Sequence, residues 1–508
     1  MYLKKTPTKS GRVSLSAVQN FRDESGRNRQ RTVKTFGFVD ELEAEWPDPI
    51  AHFKEVVAAM DAERLATERT ATMEVNPLEK VDKNGGQLRR YVGDALACWW
   101  LNTLGVETAI RNSMRGRKLD YDLNAALRLI VCERLVNPGS KLDTAENAQR
   151  HFFRSELTDD DMRRSLAELD RISGKIIDAC NRSIAKNTHR DESLVYYDVT
   201  NHFFESDSNV DADELRPSPI VQMGMLQDAD GIPISYELFP GNACDCQTPS
   251  SVLKSGSEHK TGRVVVVAEK SMGCLDDDIA GCVARGDGFL FSQSLWDTEP
   301  NDEWRAWALS DDGYSITSDG EFSIKGMQSS RRVKIKVGDS ADDRERTEDV
   351  EVKVVFMWSR KYAELERPCL IVTSETNWSD QRIVDAYREL WLIEEFFGVT
   401  ETEDLYSTPA IVWTPEHIRA HFLTCYLALL IVRLSQRALP SHPAATELLE
   451  DMRALSCSYV DDGWWLFDHR TDLTDEIFAL VGEEAPYRWM RTKDIKALFA
   501  KGKKISWG

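Results

Sequence analysis

Asp198 stands in Leu194-Val195-Tyr196-Tyr197-Asp198-Val199-Thr200, an apolar β-like run that carries one carboxylate. Far downstream, the helix-like segment from Tyr387 to Phe397 carries Glu394. A carboxylate in a buried strand, or on the apolar face of a helix, is unfavourable unless a positive group pairs with it. A divalent cation is the usual partner. Two-metal phosphoryl transfer uses carboxylates in this way, holding two ions ~4 Å apart so that attacking and leaving oxygens are both stabilised. The residue types therefore point to phosphoryl chemistry on a nucleic acid. A second strand should end in an acid beside the first, and Arg263-Val264-Val265-Val266-Val267-Ala268-Glu269 does so, with Lys270 and Gly273 following. On the late helix, Ile383, Tyr387, Leu390, Trp391 and Glu394 share one face, while Glu395 is turned away by ~100°. Ser379-Asp380 is the expected N-cap.

Elements of two kinds must bring these acids together. From Ser193 the apolar period becomes that of strands, expected at 194–199, 219–226, 234–239, 263–268 and 288–292. The first three are closely spaced, as in an antiparallel meander, and Asp228-Ala229-Asp230-Gly231 is a turn signal. The last two flank a helical stretch, Asp276 to Ala284, as in a parallel crossover. A mixed five-stranded sheet in that order is what an RNase H-like core requires. The expected organisation is a basic β arm and acidic helical linker over 1–75, a helical DNA-binding domain over 76–190, and an α/β core over 191–292 and 366–440. A β-rich insertion over 293–365 and a C-terminal region over 441–508 complete it.

The chain has 508 residues, 42% hydrophobic and 29% charged, with a net charge of -21. A nucleic-acid-binding protein presents a basic footprint, so here that footprint must be local. Residues 1–35 hold nine Lys and Arg against two acids, or +7, which leaves -28 for the remainder. Lys4, Lys5, Arg27, Arg29, Arg31, Lys34 and Lys270 are the expected phosphate contacts. Ten cysteines without a CxxC pair imply buried thiols in a reducing compartment. The basic N-terminus lacks the apolar segment of a signal peptide, and the apolar stretch Phe422 to Leu434 is shorter than a bilayer span. A cytoplasmic, nucleoid-associated protein that does not enter membranes is expected. His417 and His421 lie at i, i+4 on a helix begun by Thr414-Pro415, but no third ligand is near, and structural roles are the stronger expectation.

On these residues the sequence resembles bacterial insertion-sequence transposases of the DDE, RNase H-like class. The resemblance is to the subgroup with a β insertion and a Y-x2-R-x3-E-x6-K signature. Tyr197-Asp198-Val199-Thr200 looks like its first-acid strand, Pro219-Ile220-Val221-Gln222-Met223-Gly224 and Pro240-Gly241-Asn242 like its next two, and Ile371-Val372-Thr373-Ser374 like the approach to its last helix. Arg29-Gln30-Arg31-Thr32 and Asn137-Pro138-Gly139-Ser140-Lys141 resemble its N-terminal parts. The resemblance implies Mg²⁺- or Mn²⁺-dependent cleavage and strand transfer at the inverted-repeat ends of a mobile element, with double-stranded DNA as partner and a homodimer assembled on it. It makes Asp198, Glu269 and Glu394 the catalytic and metal-binding acids and Tyr387 the signature tyrosine, expected at the DNA. Three positions depart from the pattern: Glu269 stands where Asp is usual, Leu390 where Arg is, and Glu401 where Lys is. These departures imply, as the alternative, a weakened or inactive transposase-derived DNA-binding protein.

Overall fold

The structure, a computed structural model, describes residues 1–8, 11–22, 28–68, 88–137, 144, 147–153, 157–188, 190, 193–202, 221–240, 263–269, 275–295, 303–337, 344–359, 368–401, 414–460 and 463–499; Asp198 and all of 391–401 are described by backbone alone. Met1–Gly86 and Gln87–Gly508 are two compact units. In the first, β1 (Tyr2–Pro7), β2 (Val13–Arg22) and β3 (Asn28–Phe38) make an antiparallel sheet in that order, followed by α1 (Val39–Leu42) and α2 (Pro49–Glu68). Strand alternation buries Leu15 and Ala17. Helical spacing puts half-buried Ile50 and buried Val57 on one stripe of α2, and Phe53 stacks on Phe36 at 4.5 Å between ring centres.

The second unit opens with β4 (Arg89–Tyr91), α3 (Asp94–Thr103), α4 (Val106–Ser113), α5 (Leu123–Val136) and α6 (Asp159–Asn187). The helix starts are set by side chains. Asp122 accepts from the backbone N–H of Asn124 and Ala125, and Thr158 and Asp161 form a capping box at the head of α6. Three buried ionisable groups join these helices. His151 Nδ1 lies 2.6 Å from Asp94 Oδ2 and its Nε2 lies 2.8 Å from Glu133 Oε1. Asn137 and Asn147 each donate to the other Glu133 oxygen at 3.2 Å.

The strands that follow are β5 (Leu194–His202), β6 (Val221–Gln227), β7 (Pro233–Pro240) and β8 (Val265–Glu269), then α7 (Leu275–Arg285) and β9 (Gly288–Ser294). After α8 (Glu303–Ala308) come β10 (Ser315–Ile316), β11 (Phe322–Val337), β12 (Arg344–Ser359), β13 (Cys369–Thr373) and α9 (Asp380–Glu401). They build one nine-stranded sheet in the order β10-β11-β12-β13-β9-β8-β5-β6-β7. β5, β6 and β7 pair antiparallel, whereas β8 runs parallel to both β5 and β9. The expected meander and crossover are thus present as strands 194–202, 221–227, 233–240, 265–269 and 288–294.

Two stretches share a sheet or a core with their neighbours. Within 293–365, expected as a β-rich insertion, β11 and β12 are 16-residue partners that extend the same sheet, with β12 hydrogen-bonded to β13. Alternating Val333, Ile335, Val352 and Val354 keep one face of that hairpin buried. The helices α3 to α6 share a single apolar cluster with α10 (Pro415–Ala438), α11 (Ala445–Ala454), α12 (Asp472–Leu480) and α13 (Thr492–Phe499). β4 also pairs with β14 (Ser456–Tyr459), in the four-stranded sheet completed by β15 (Trp464–Phe467) and β16 (Trp489–Arg491). Helix α10 is long and apolar enough to cross a membrane, but 78% of its apolar window is buried in this core. Seven described cysteines are free, and all seven are buried.

Candidate active site

The strand register decides which residues can meet. β5 and β8 align Leu194 with Val265, Val195 with Val266, Tyr196 with Val267 and Tyr197 with Ala268. The next step along both strands reaches Asp198 and Glu269, so the two acids occupy neighbouring backbone positions, one strand spacing (~4.8 Å) apart. Alternation also assigns a face. Tyr196, Val265 and Val267 belong to the apolar cluster that contains Ile383, Val384, Tyr387 and Leu390 of α9. Val195, Tyr197, Val266 and Ala268 belong to the cluster on the opposite face, with Ile279 of α7. Positions 198 and 269 therefore fall on the α9 face. Glu269 ends its strand and is exposed.

Helix α9 crosses that face, packing on β5, β8, β9, β11 and β12. Its start is fixed as the sequence implies: the Arg382 N–H donates to Ser379 Oγ at 3.2 Å. Lys353 Nζ of β12 lies 2.7 Å from Asp380 Oδ1 and donates to the Trp378 carbonyl at 2.6 Å. Arg388 reaches the other way. It pairs with Asp319, lies 2.8 Å from Glu321 Oε2, and stacks 4.9 Å above the Phe322 ring. The Asp319 carboxyl is held well below the usual range by the Thr317 hydroxyl, the Glu321 N–H and Arg388. A hydrogen bond also joins α9 to β5: the Tyr196 hydroxyl donates to Glu389 Oε2. The helix that carries Glu394 is thus tied to the strand that carries Asp198. Neither Tyr196 nor Glu389 is marked by periodicity as a site residue. The only available signal is that Tyr196 lies two positions from Asp198, on the same strand face.

Some expected residues sit elsewhere. Tyr387 is 3% exposed and Leu390 is fully buried, both in the core between α9 and the sheet. A ring packed there cannot reach a DNA backbone, so the expectation that Tyr387 contacts DNA is corrected to a packing role. Leu390 faces the same apolar neighbours. Arg27 and Lys270 lie outside the described residues. His421 does not pair with His417 on a metal: its Nδ1 is 3.0 Å from Arg134 Nη2 and its Nε2 3.5 Å from Cys425 Sγ, all buried. Among the described residues no three His, Cys, Asp or Glu side chains converge on a metal-sized point; the side chains of Asp198 and Glu394 are outside that description.

In the first unit Lys4, Lys5, Arg29, Arg31 and Lys34 are exposed. A simple two-residue period would put Lys34 on the reverse of Arg29 and Arg31. A register shift between Ala17 and Val18 inserts one extra residue, so Arg29, Arg31 and Lys34 lie opposite Phe21, Gln19 and Ala17 and share a face. Lys5, opposite Leu15, joins them, and Lys4, opposite Ser16, does not. Arg31 Nε donates to Gln19 Oε1 at 2.9 Å. Arg12 is engaged instead with Asp40 at 2.7 Å and Glu41.

Residues 3–71 match the family model of the IS1634 family transposase N-terminal domain. That match supports an insertion-sequence transposase, and with it DNA as a partner. No curated protein matches the chain. Among solved structures, the piggyBac transposase synaptic complex with hairpin DNA, determined by cryo-EM, is a remote likeness. It has a TM-score of 0.38 and 7% identity, covering 80% of this chain and 84% of that one.

Proposed function

We propose that the protein is a DDE transposase with an RNase H-like core, which cuts and joins DNA at the inverted-repeat ends of its own insertion sequence. The observation that carries this reading is the β5–β8 register, which makes Asp198 and Glu269 neighbours on the face crossed by the helix of Glu394. The strand order β7-β6-β5-β8-β9, with the first three antiparallel and the last two parallel to β5, supports the RNase H-like assignment. The donor set suits a hard divalent ion, since three carboxylates offer only oxygen ligands. Asp198, Glu269 and Glu394 would hold Mg²⁺ or Mn²⁺, which when bound stabilises charge on the attacking and leaving oxygens of a phosphodiester. The remaining work belongs to the protein. Core packing of α9 against β5 and β8 keeps the acids on rigid elements. The basic face of β3 binds backbone phosphate without reading sequence. A homodimer on paired DNA ends, in the cytoplasm at the nucleoid, completes the proposal.

The test is a duplex spanning the terminal repeats that flank the coding region, incubated with purified protein and Mg²⁺. Nicking at the repeat boundary that EDTA abolishes is the expected result. Neither end-specific binding nor cleavage would overturn the reading. Replacing Arg29, Arg31 and Lys34 together with Ala should weaken binding alike on all sequences and lower the slope of log K against log salt by about 2.7, or ~0.9 per phosphate contact. An unchanged slope in fluorescence-anisotropy titrations would remove β3 from the DNA interface.

A second reading is favoured by Glu269 and by the buried Leu390: a protein that binds ends but cuts weakly. One extra methylene displaces the Glu269 carboxylate by ~1 Å, and errors of that size can lower rates ~100-fold. A large gain of cleavage in Glu269→Asp identifies this second case, and loss of cleavage identifies the first.

A further inference from the structure

We infer that Tyr196 and Glu389 are a positioning pair that fixes the separation between Glu394 and the two strand acids; the inference rests on the DDE reading above. Helix α9 is anchored near its start by Ser379 and Lys353 and along its flank by Arg388. Those contacts tie it to β12 and to residues 319–321, at the far side of the sheet from β5. The Tyr196–Glu389 hydrogen bond is a polar link to the strand of Asp198, beside the apolar packing of Tyr387 and Leu390. Tyr196 is 1% exposed, and its ring is clamped in the core. Its hydroxyl is therefore a fixed post, whereas the exposed Glu389 must come to it. From the bond, two strand residues lead to Asp198, roughly 6.7 Å. Five helical residues lead to Glu394, a rise of roughly 7.5 Å. Strand and helix thus advance by similar amounts from a shared contact, and a shift there moves the acids relative to one another. Neither residue touches the reacting atoms in this account. Each acts through the element that carries an acid.

The experiment compares wild type with Tyr196→Phe, Glu389→Ala, the double variant and Glu389→Gln. Cleavage turnover is measured at saturating Mg²⁺, DNA affinity by anisotropy, and Mn²⁺ affinity of the DNA-free protein by electron paramagnetic resonance. Each single substitution should lower turnover about 10-fold and weaken Mn²⁺ binding several-fold, with DNA affinity within about twofold, since misplacement well below 1 Å gives effects of this order. The double variant should be no worse than either single one, because the two residues act as a unit. Glu389→Gln, which still accepts a hydrogen bond, should return turnover to within about threefold of wild type. Effects that multiply in the double variant, or Mn²⁺ affinity unchanged in both singles, would overturn the pairing. If wild type itself neither binds Mn²⁺ nor cleaves, the DDE reading falls and the pair falls with it; if wild type does both and the variants match it, the pair alone fails.

Discussion

Asp198→Asn is expected to lower strand cleavage about 1,000-fold, roughly 4 kcal/mol of transition-state stabilisation, while DNA-end affinity stays within about twofold. The substitution is nearly isosteric. It leaves the β5 backbone paired as before, with position 198 opposite Met225 and Tyr197 beside Ala268. On the proposed reading, what it removes is a negative charge that would help hold a divalent ion. An amide oxygen is a weaker ligand, and it leaves Glu269 with one charged neighbour fewer. Binding depends mainly on phosphate contacts from basic residues, and Asp198 supplies none. Loss of binding in parallel with cleavage would show a folding defect, which the thermal transition would report. Cleavage unchanged within threefold would remove Asp198 from the chemistry.

His151→Ala should cost about 3–5 kcal/mol of folding stability, because deleting one partner leaves two buried acids uncompensated. Asp94, Glu133 and His151 are all essentially inaccessible to water. Burial raises the Asp94 pKa, and His151 only partly opposes that rise. For His151, burial disfavours the charged ring. Hydrogen bonds and attraction from Asp94 and Glu133 outweigh it and lift the pKa from 6.5 to about 9. The folded state therefore holds a proton that the unfolded chain releases at lower pH. Its stabilisation is fully present below about pH 6.5 and is lost as pH rises through about 9. A shift of that size corresponds to roughly 3 kcal/mol. The raised Asp94 pKa has the same sign, but its contribution begins to fall as pH rises from 3.8, below the window set by His151. Thermal denaturation of wild type should show Tm falling between pH 7 and 10, and His151→Ala should flatten that fall. A wild-type Tm independent of pH over this range would contradict the charged imidazole.

The strands of the sheet were legible because β5 to β9 carry apolar runs bounded by turn residues, and Asp198 and Glu269 were conspicuous as single charges in such runs. The capping residues Ser379, Thr414 and Asp228 at its turn were legible for a local reason: each bonds backbone within a few residues. Other features depend on how distant segments align. β11 runs for 16 residues because its partner β12 completes it across the polar stretch from Gln328 to Arg332. Lys34 shares a face with Arg31 only because of a register shift. Tyr387 lies on the apolar stripe of the late helix, as its spacing implies, and packs in the core between α9 and the sheet. Tyr196–Glu389 and the Asp94–His151–Glu133 group join residues far apart in the chain, and neither follows from any local period.

The most direct measurement is a crystal structure of the protein grown with Mn²⁺, using anomalous scattering to place the metal. Density within about 2.3 Å of carboxylate oxygens from Asp198 and Glu269, with Glu394 completing the shell from α9, is the predicted outcome. Carboxylates of Asp198 and Glu394 separated by more than roughly 12 Å, too far for even two ions ~4 Å apart to bridge, would contradict it.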